Sequence, residues 1–532
     1  MNPNPVPDVS QYRRPRRPLP PPSPQVQARL RAQAQARAQA QTRAQAQTRA
    51  EPAALRGLTA GKVTAIFVAI FAVGVAIRLW RLGISPAWQF DEAIYWRVSE
   101  NMQHRALTEH SVYGLPFQPF LYQPPMFFEI ESRWFDLVGA SIYHARLLGV
   151  ISTAVMQLLL FRLLTRLHGL RVALLAVLPV IFDGWLLYIE RVSYIENTLM
   201  IGVVLGFLLY ARALDTPSWW RFLLAGMALG AAASFKQTGA YVVVAVVFCW
   251  LIVRRNHRYH LVLLGGALLV IGAYIGLMIV KYDPPGNPYF IHQSLVQIRR
   301  VLGLQQSGGT LTSASGALHL LMQQYKYFVP SLIIAVCAVF LALRRTWQCY
   351  RARSWAPAAS NAVLYAWLLT GVVVFGVSSL KFPQYFVLIL LPAYCYFWTE
   401  LARWELDPWW RTFWPVAAAV IGAMSFLLTV PAFNANSLQE VQSYAAGRIP
   451  SSAIVVTEET VGDLINQRWC SVEEATACLG HATYAITWQT YLQSSFTEGD
   501  AAFDTLMKGA TRVTSFSGAA GTATVWKLRI TQ

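Results

Sequence analysis

The sequence contains about eleven apolar stretches of roughly 20 residues, and this repetition limits the possible folds more than any other feature. A helix of about 20 residues crosses the roughly 30 Å hydrocarbon core of a bilayer. Inside that core every backbone polar group must be paired within the protein, so only helices and closed barrels can span it. We therefore predict eleven transmembrane helices. They cover residues 62–82, 145–165, 170–189, 195–213, 219–235, 238–253, 261–280, 328–344, 361–379, 384–401 and 412–431.

The composition agrees with a membrane location. Hydrophobic residues make up 55% of the 532 residues and charged residues 13%, about half the charged share of soluble domains. Such a chain cannot cover a large water-exposed surface, which excludes a soluble enzyme, a coiled coil and a DNA-binding domain. We expect an α-helical polytopic membrane protein whose membrane domain comprises residues 61–431.

The distribution of Lys and Arg predicts the topology, because cytoplasmic loops carry an excess of basic residues. Four loops between the predicted spans are basic, at residues 162–171, 212–221, 254–258 and 344–353. If these loops and the N-terminus are cytoplasmic, four other segments face outward. These segments are about 84–143, 190–194, 281–327 and the region after 432. The third of them is either a flap over the substrate or a simple linker.

Residues 1–60 form a basic segment rich in Pro and in an Arg-Ala-Gln repeat. The segment carries ten Arg against Asp8 and Glu51, and it has too few large apolar residues to offset the entropy of folding. We expect a disordered cytoplasmic tail, without a secretory signal, that lies near anionic lipid. RNA binding is an alternative for the tail, although we expect no nucleic-acid partner for the protein.

Residues 432–532 have a soluble composition, and we expect them to form a small exported α/β domain. Strand-like runs occur at 453–457, 484–488 and 524–530, and helical stretches at 459–466 and 472–479. Cys470 and Cys478 both lie in this domain. An oxidising compartment favours a disulfide between them, but the spacing alone does not establish the geometry.

Several ionisable residues lie at outer helix ends, where the membrane makes them costly unless they are solvated or paired. Asp91 and Glu92 follow the first span, and such a pair taken alone is typical of a solvated helix start. Arg191, Lys236 and Lys381 reach the same side of the membrane. Each lysine alone is better explained by snorkelling to the headgroups. Two lysines and an arginine beside an acidic pair instead indicate a phosphate site near a general base.

Five motifs in order carry a resemblance to a known family. They are FDEAIYW at 90–96, YQPPMFF at 122–128, ERVSYIEN at 190–197, SFKQTGAY at 234–241 and LKFPQYFVLILLPAY at 380–394. The sequence over about residues 62–400 resembles the lipid-dependent glycosyltransferases of the GT-C fold. It is most similar to the bacterial branch related to protein O-mannosyltransferases and lipid A aminoarabinose transferase. The stretch at Glu190-Arg191 departs from the usual pattern of this branch, since Tyr194 and Glu196 stand where related sequences place further charged residues.

The resemblance implies a sugar donor linked to polyprenyl phosphate, an extracytoplasmic acceptor and an inverting transfer. Asp91 is then the general base, and Glu92 is a second catalytic residue that shapes the charge of the base or holds the acceptor. The resemblance assigns the other site residues to the donor phosphate or to the cavity and acceptor. The phosphate-binding set is Lys236, Lys381, Arg191 and Tyr385, and the cavity set is Tyr95, Tyr122, Pro124 and Pro125.

We expect no cofactor; the alternative is a divalent ion held by Asp91, Glu92 and His104, because carboxylate oxygens suit Mg²⁺ or Mn²⁺. Two other functions remain open at this stage. One is a transporter, against which stands the absence of an internal repeat between halves. The other is a non-catalytic scaffold that binds polyprenyl lipid. The acceptor is a protein, a glycan or a lipid, and the composition mildly favours a bacterial plasma membrane.

Overall fold

The computed structural model describes most of the chain after the N-terminal segment. The described residues are 58–88, 90–104, 120–121, 123–282, 289–301, 329–355, 361–377, 383–402, 408–429, 436–489, 501–518 and 521–529. The predicted tail at 1–60 lies almost wholly outside them, as do residues 283–288 and 302–327 of the predicted outer segment 281–327.

Helices dominate the described part of the membrane domain. They are α1 Ala60–Leu79, α2 Phe90–Gln103, α3 Met126–Val138, α4 Ile142–His168, α5 Leu170–Phe182, α6 Gly184–Ile189, α7 Ile195–Asp215, α8 Trp219–Phe235, α9 Tyr241–Val253, α10 His257–Tyr282, α11 Tyr289–Val301, α12 Val329–Arg351, α13 Ala362–Val377, α14 Val387–Leu401 and α15 Pro408–Thr429. Short 3₁₀ turns at Gln237–Ala240 and Pro383–Phe386 precede α9 and α14.

Every predicted span overlaps an apolar helix of the structure. Among the described residues, α1, α4, α7, α10 and α12 are long and apolar enough to cross a membrane, and several shorter apolar helices accompany them. The protein is therefore a multi-pass membrane protein, and the number of eleven spans remains a prediction. Helices α2 and α3 do not belong to this set and follow the first span, in the segment predicted to lie outside the membrane.

One predicted span, 170–189, is broken into α5 and α6 at Asp183. The Asp183 side chain caps α6 by accepting the Leu186 backbone N–H at 2.8 Å. It also accepts hydrogen bonds from Ser331 on α12, at 2.5 Å, and from Tyr394 on α14. The break is tolerated because these donors satisfy a carboxylate that is buried between helices.

Glycines hold α8 tightly against its neighbours. A Cβ at Gly226 would overlap the Leu263 carbonyl of α10, and a Cβ at Gly266 of α10 would lie 2.7 Å from the Leu223 carbonyl. Small residues at helix crossings are the usual device for close packing in lipid, where no hydrophobic effect draws helices together. This packing fixes the end of α8, where Lys236 is located.

The C-terminal region combines short helices with a mixed sheet. Its helices are α16 Ser437–Arg448, α17 Glu459–Leu464 and α18 Ala501–Met507, and its strands are β1 Ile454–Thr457, β2 Arg468–Ser471, β3 Tyr484–Gln489, β4 Thr511–Gly518 and β5 Gly521–Lys527. The sheet order is β2-β1-β3-β5-β4, with β1 parallel to β2 and β3, and β5 antiparallel to β3 and β4. Cys470 and Cys478 form a disulfide with Cα atoms 6.4 Å apart.

The C-terminal region packs directly on α2. Trp96 of α2 shares a hydrophobic cluster with Leu464 of α17, with Trp469 of β2 and with Trp488 of β3. On the same helix, the Arg97 Nε donates a hydrogen bond to the Asp463 carbonyl oxygen at 2.8 Å. The sheet therefore covers the helix whose first turn carries Asp91.

Replacing Arg97 should loosen this contact. We expect Arg97→Ala to lower the free energy of unfolding by about 1–3 kcal/mol, because the buried Asp463 carbonyl would lose its charged donor. Urea unfolding in detergent measures the change. Arg133→Ala is the matched control, since Arg133 is exposed and its ion pairs with Glu129 and Asp136, both at 3.4 Å, contribute about 0–1 kcal/mol. An equal loss in both variants would contradict the prediction.

Candidate active site

Asp91 lies in the first turn of α2, where the side chain is partly exposed. Gln384, in the 3₁₀ turn before α14, donates its Nε2–H to the Asp91 Oδ2 at 2.6 Å. Tyr95, one helical turn along α2, donates its hydroxyl to the same oxygen at 3.4 Å. Both donors bind Oδ2. Asp91 is thus oriented by Tyr95 of its own helix and by Gln384 of the turn before α14.

Lys236 forms the cationic part of the same cluster. It is the C-cap residue of α8, and its Nζ lies 2.6 Å from the Glu196 Oε1 in the first turn of α7. The Nζ also lies 4.7 Å from the centre of the Tyr385 ring, within range of a cation–π interaction. The second oxygen of Glu196 is buried and has no hydrogen-bond partner among the residues that the structure describes. The cluster therefore joins the ends of four elements, two of which carry carboxylates.

The electrostatics of the cluster favour a proton acceptor. Burial raises the pKa of Asp91 to about 6, the positive charge of Lys236 lowers it, the negative charge of Glu196 raises it, and the hydrogen bonds from Tyr95 and Gln384 lower it. A general base works best when its pKa lies near the working pH, since it is then ionised and still basic. Asp91 meets this condition, unlike an ordinary exposed aspartate.

Glu92 faces the opposite way and is fully buried. Its two oxygens accept hydrogen bonds from the Arg146 Nε and Nη2 of α4, at 2.7 and 2.8 Å. One of these oxygens also accepts the Ser193 backbone N–H at 3.1 Å. Arg146 further donates to the carbonyls of Leu82 and Pro86, at 2.9 and 2.8 Å. Glu92 therefore holds the start of α2 in place through both oxygens. Its role in shaping the charge of the base or holding the acceptor stays a prediction.

Glu131 on α3 is a buried carboxyl group that the sequence did not single out. It accepts hydrogen bonds from the Ser99 hydroxyl of α2 and the Ser193 hydroxyl, both at 2.7 Å. Burial raises its pKa to about 7, partly opposed by these two bonds, and the nearby charge of Glu92 raises it further. Glu131 links α2, α3 and the loop before α7, so it supports the same framework as Glu92.

Arg191 is buried beneath the chain that joins α1 to α2. Its Nη2 donates to the carbonyls of Trp80 and Ser85, the latter at 2.9 Å, and its guanidinium lies 5.1 Å from the centre of the Phe426 ring. Its Nε and Nη1 are buried without hydrogen-bond partners in the described part of the chain. The neighbouring Glu190 instead pairs with Arg78, whose Nε lies 2.9 Å away. Arg191 thus holds the backbone of this connection and has two guanidinium nitrogens without a protein acceptor among the described residues.

The remaining predicted residues fall into two groups. Tyr95 and Tyr385 belong to the cluster, and Pro124 and Pro125 are buried at the start of α3. Tyr122 and Lys381 lie outside the described residues. The sequence predicted no role for Glu196 or Gln384, although these residues lie inside the motifs ERVSYIEN and LKFPQYFVLILLPAY.

The alternative metal site is not assembled. The described residues include Asp91, Glu92 and His104, yet no group of three His, Cys, Asp or Glu side chains in the described chain could hold a metal ion. Both oxygens of Glu92 are occupied by Arg146, which explains why this residue does not join such a group.

Comparisons with known proteins agree with this architecture. The structure is similar to that of ArnT from Cupriavidus metallidurans bound to undecaprenyl phosphate, with a TM-score of 0.59 and 15% sequence identity over 87% of this chain and 98% of that chain. It is also similar to the oligosaccharyltransferase of Archaeoglobus fulgidus in the apo form, with a TM-score of 0.52 and 11% identity over 87% of this chain and 74% of that chain. The fold is therefore the GT-C fold, with a small C-terminal sheet added to the helical membrane domain.

The sequence adds a second, independent finding. Residues 68–280 match the family model described as dolichyl-phosphate-mannose-protein mannosyltransferase. No curated protein sequence matches the chain. The matched residues include Asp91, Glu196 and Lys236, three members of the cluster. The fold and the family match together identify an integral-membrane glycosyltransferase.

Removing the Gln384 donor should raise the pKa of Asp91. We expect Gln384→Leu to move the pKa above about 6, because the ionised carboxylate would lose a hydrogen bond that stabilises it. Infrared titration of the full chain, with Asp91→Asn spectra subtracted, follows this carboxyl group. Gln103→Leu is the control, since Gln103 bonds the surface residue Asp136 at 3.0 Å. A pKa unchanged or lowered in Gln384→Leu would show that the bond does not set the basicity of Asp91.

Proposed function

We propose that this glycosyltransferase moves a sugar from a polyprenyl-phosphate donor to a hydroxyl group of an extracytoplasmic acceptor, with Asp91 as the general base. The observation that carries the proposal is the environment of Asp91: a partly exposed carboxylate with a pKa near 6, beside a buried Lys236–Glu196 ion pair. This arrangement supplies both a proton acceptor and a nearby positive charge, which are the two requirements of such a transfer.

The proposed reaction is a single displacement. Asp91 accepts the proton of the acceptor hydroxyl while the hydroxyl oxygen forms a bond to the anomeric carbon. The bond between that carbon and the phosphate oxygen breaks, and polyprenyl phosphate leaves with the electron pair. Attack occurs opposite the leaving group, so the product has the inverted anomeric configuration. The leaving phosphate is an anion and needs a positive charge more than it needs a proton.

Lys236 is the proposed source of that charge. Its Nζ already faces the Tyr385 ring, and Glu196 holds it in place from the other side. Tyr385 would contact the phosphate or the sugar. Arg191 would donate to an anion from its Nε and Nη1, which have no hydrogen-bond partner among the described residues. Lys381 belongs to the same proposal through its motif. Tyr95, Tyr122, Pro124 and Pro125 would line the cavity, and Glu92 would act through the position of α2.

The donor class follows from the membrane setting and the related structures. The ArnT structure holds undecaprenyl phosphate, and the Archaeoglobus fulgidus oligosaccharyltransferase AglB has been solved in complex with an inhibitory peptide and a dolichol-phosphate. We propose that the basic loops face the cytoplasm and that the Asp91 cluster and the C-terminal region face outward, in a bacterial plasma membrane. The C-terminal region covers α2, which would bring an acceptor bound there close to Asp91.

Asp91→Asn should strongly lower turnover. Purified protein in lipid vesicles, offered a panel of radiolabelled polyprenyl-phosphate sugars with a crude envelope acceptor, should release polyprenyl phosphate. We expect Asp91→Asn to lower the rate by about 10²–10⁴-fold while donor binding persists, because only proton transfer is lost. Asp136→Asn is the control, since Asp136 is exposed on α3. Equal release by Asp91→Asn and the wild type would refute the role of Asp91, and retention of the donor's anomeric configuration would refute single displacement.

A second test separates the effect of the Lys236 charge on turnover from its effect on stability. We expect Lys236→Met to lower the free energy of unfolding by about 3–5 kcal/mol, because Glu196 would remain buried and unpaired. The double variant Lys236→Met with Glu196→Gln should recover most of that stability yet remain inactive, because the leaving phosphate would lack its cation. Urea unfolding and the release assay measure the two effects. A stable double variant with wild-type turnover would show that the pair is structural only.

A further inference from the structure

A cavity lined by three arginines lies at the other end of the helix bundle from Asp91. The directions in which α8, α9 and α14 run show that the cavity and Asp91 are at opposite ends of the bundle. Helix α8 ends at Lys236 in the active-site cluster, and α9 leads away from it to Arg254. Helix α14 begins after Tyr385 and ends beside α12, where the Arg345 Nη2 lies 2.6 Å from the Glu400 Oε2. The ends of α9, α12 and α14 therefore share the face remote from the site.

The cavity has a volume of about 580 Å³ and lies between the ends of α9 and α12. Three arginines line it, Arg254 from α9 and Arg351 and Arg353 from α12 and its following turn, together with the Ser354 hydroxyl and Trp355. Trp355 packs edge-on against Phe248 of α9, with ring centres 5.6 Å apart, which joins the two walls.

The helices that form this cavity do not supply enough carboxylates to balance the positive charge of its arginines. Glu400 is the one carboxylate in α9, α12, α13 and α14, and it is already paired with Arg345. Arg254 and Arg353 are exposed, and each has a left-handed backbone conformation, with φ of 50° and 45°. Arg254 donates only a long bond of 3.3 Å to the Leu251 carbonyl. Three cations facing one cavity repel each other unless an anion lies between them.

Aromatic residues place the cavity at the depth of lipid headgroups. Trp347 and Tyr350 are 53% and 73% exposed, and their rings stack with centres 5.6 Å apart. The Arg351 guanidinium lies 5.0 Å from the centre of the Trp347 ring. Exposed Trp and Tyr followed by Arg at a helix end are typical of the boundary between hydrocarbon and water. Tyr350 also lines the cavity, which therefore adjoins the lipid-facing surface.

We propose that this cavity binds the phosphate of an anionic phospholipid headgroup. The guanidinium groups would donate paired hydrogen bonds to the phosphate oxygens, which is the geometry that suits Arg. Free phosphate offers the same oxygens but has no acyl chains to rest against α12. The exposed aromatic residues beside the cavity favour the lipid.

The test uses the full chain in detergent, with bound lipid counted by native mass spectrometry. Phosphatidylglycerol and phosphatidylcholine are titrated separately onto the wild type and onto Arg254→Gln/Arg353→Gln. We expect the double variant to bind phosphatidylglycerol about 30-fold more weakly, at roughly fivefold for each arginine near a headgroup. The matched control, Arg212→Gln/Arg258→Gln, removes two exposed arginines from the same end that do not line the cavity, and it should bind like the wild type.

Three outcomes would overturn the proposal. The first is an equal loss of phosphatidylglycerol binding in both double variants, which would show that the general positive charge of the surface, and not the cavity, attracts the lipid. The second is equal binding of phosphatidylcholine and phosphatidylglycerol by the wild type. The third is binding of inorganic phosphate alone as tightly as phosphatidylglycerol, which would identify a free-anion site. If the double variant melts early, Arg353→Gln alone should still weaken phosphatidylglycerol binding about fivefold, and unchanged binding would contradict the assignment.

Discussion

The ion pair between Glu92 and Arg146 is the interaction on which the site depends. It is fully buried and bidentate, and Arg146 uses its remaining donor on the carbonyls of Leu82 and Pro86. One guanidinium thus ties α4 to α2 and to the chain that leads into α2. Burying two charges is costly, and hydrogen bonds to the remaining donors and acceptors offset that cost. Both Glu92 oxygens and four of the five Arg146 N–H groups are hydrogen-bonded, so the pair fixes the start of α2 and the position of Asp91 next to it.

Buried ion pairs recur near this site. Arg78 and Glu190 pair between α1 and the chain before α7, and Lys236 and Glu196 pair between α8 and α7. In each pair one carboxylate oxygen is buried without a hydrogen-bond partner among the described residues. The first pair joins two elements. The second lies beside Asp91, where the positive charge of Lys236 lowers the pKa of Asp91 and the negative charge of Glu196 raises it. The position beside Asp91, and not the completeness of the pairing, therefore distinguishes the second pair from the first.

Much of this arrangement could be predicted from the sequence, because hydrophobic length and basic loops are local properties. The helices, the motif residues Asp91 and Lys236 and the strands β1, β3 and β5 follow from such patterns. Pairing partners could not be predicted, since Glu92 and Arg146 are 54 positions apart and meet only through packing. For the same reason the sequence predicts that Glu92 shapes the charge of the base or holds the acceptor, whereas the structure pairs this residue with Arg146. Strands β2 and β4 show too little alternation of apolar and polar residues to be predicted from the sequence.

The contact between Arg97 and the Asp463 carbonyl joins residues 366 positions apart. During synthesis at the membrane, α2 emerges long before the sheet that covers its apolar face. Trp96 can therefore pack against Trp469 and Trp488 only after these two residues have been synthesised. The apolar face of α2 is therefore covered only when nearly the whole polypeptide has been translated. An unfinished chain would already contain the Glu92–Arg146 pair that fixes the start of α2, but it would lack the sheet that covers the rest of this helix.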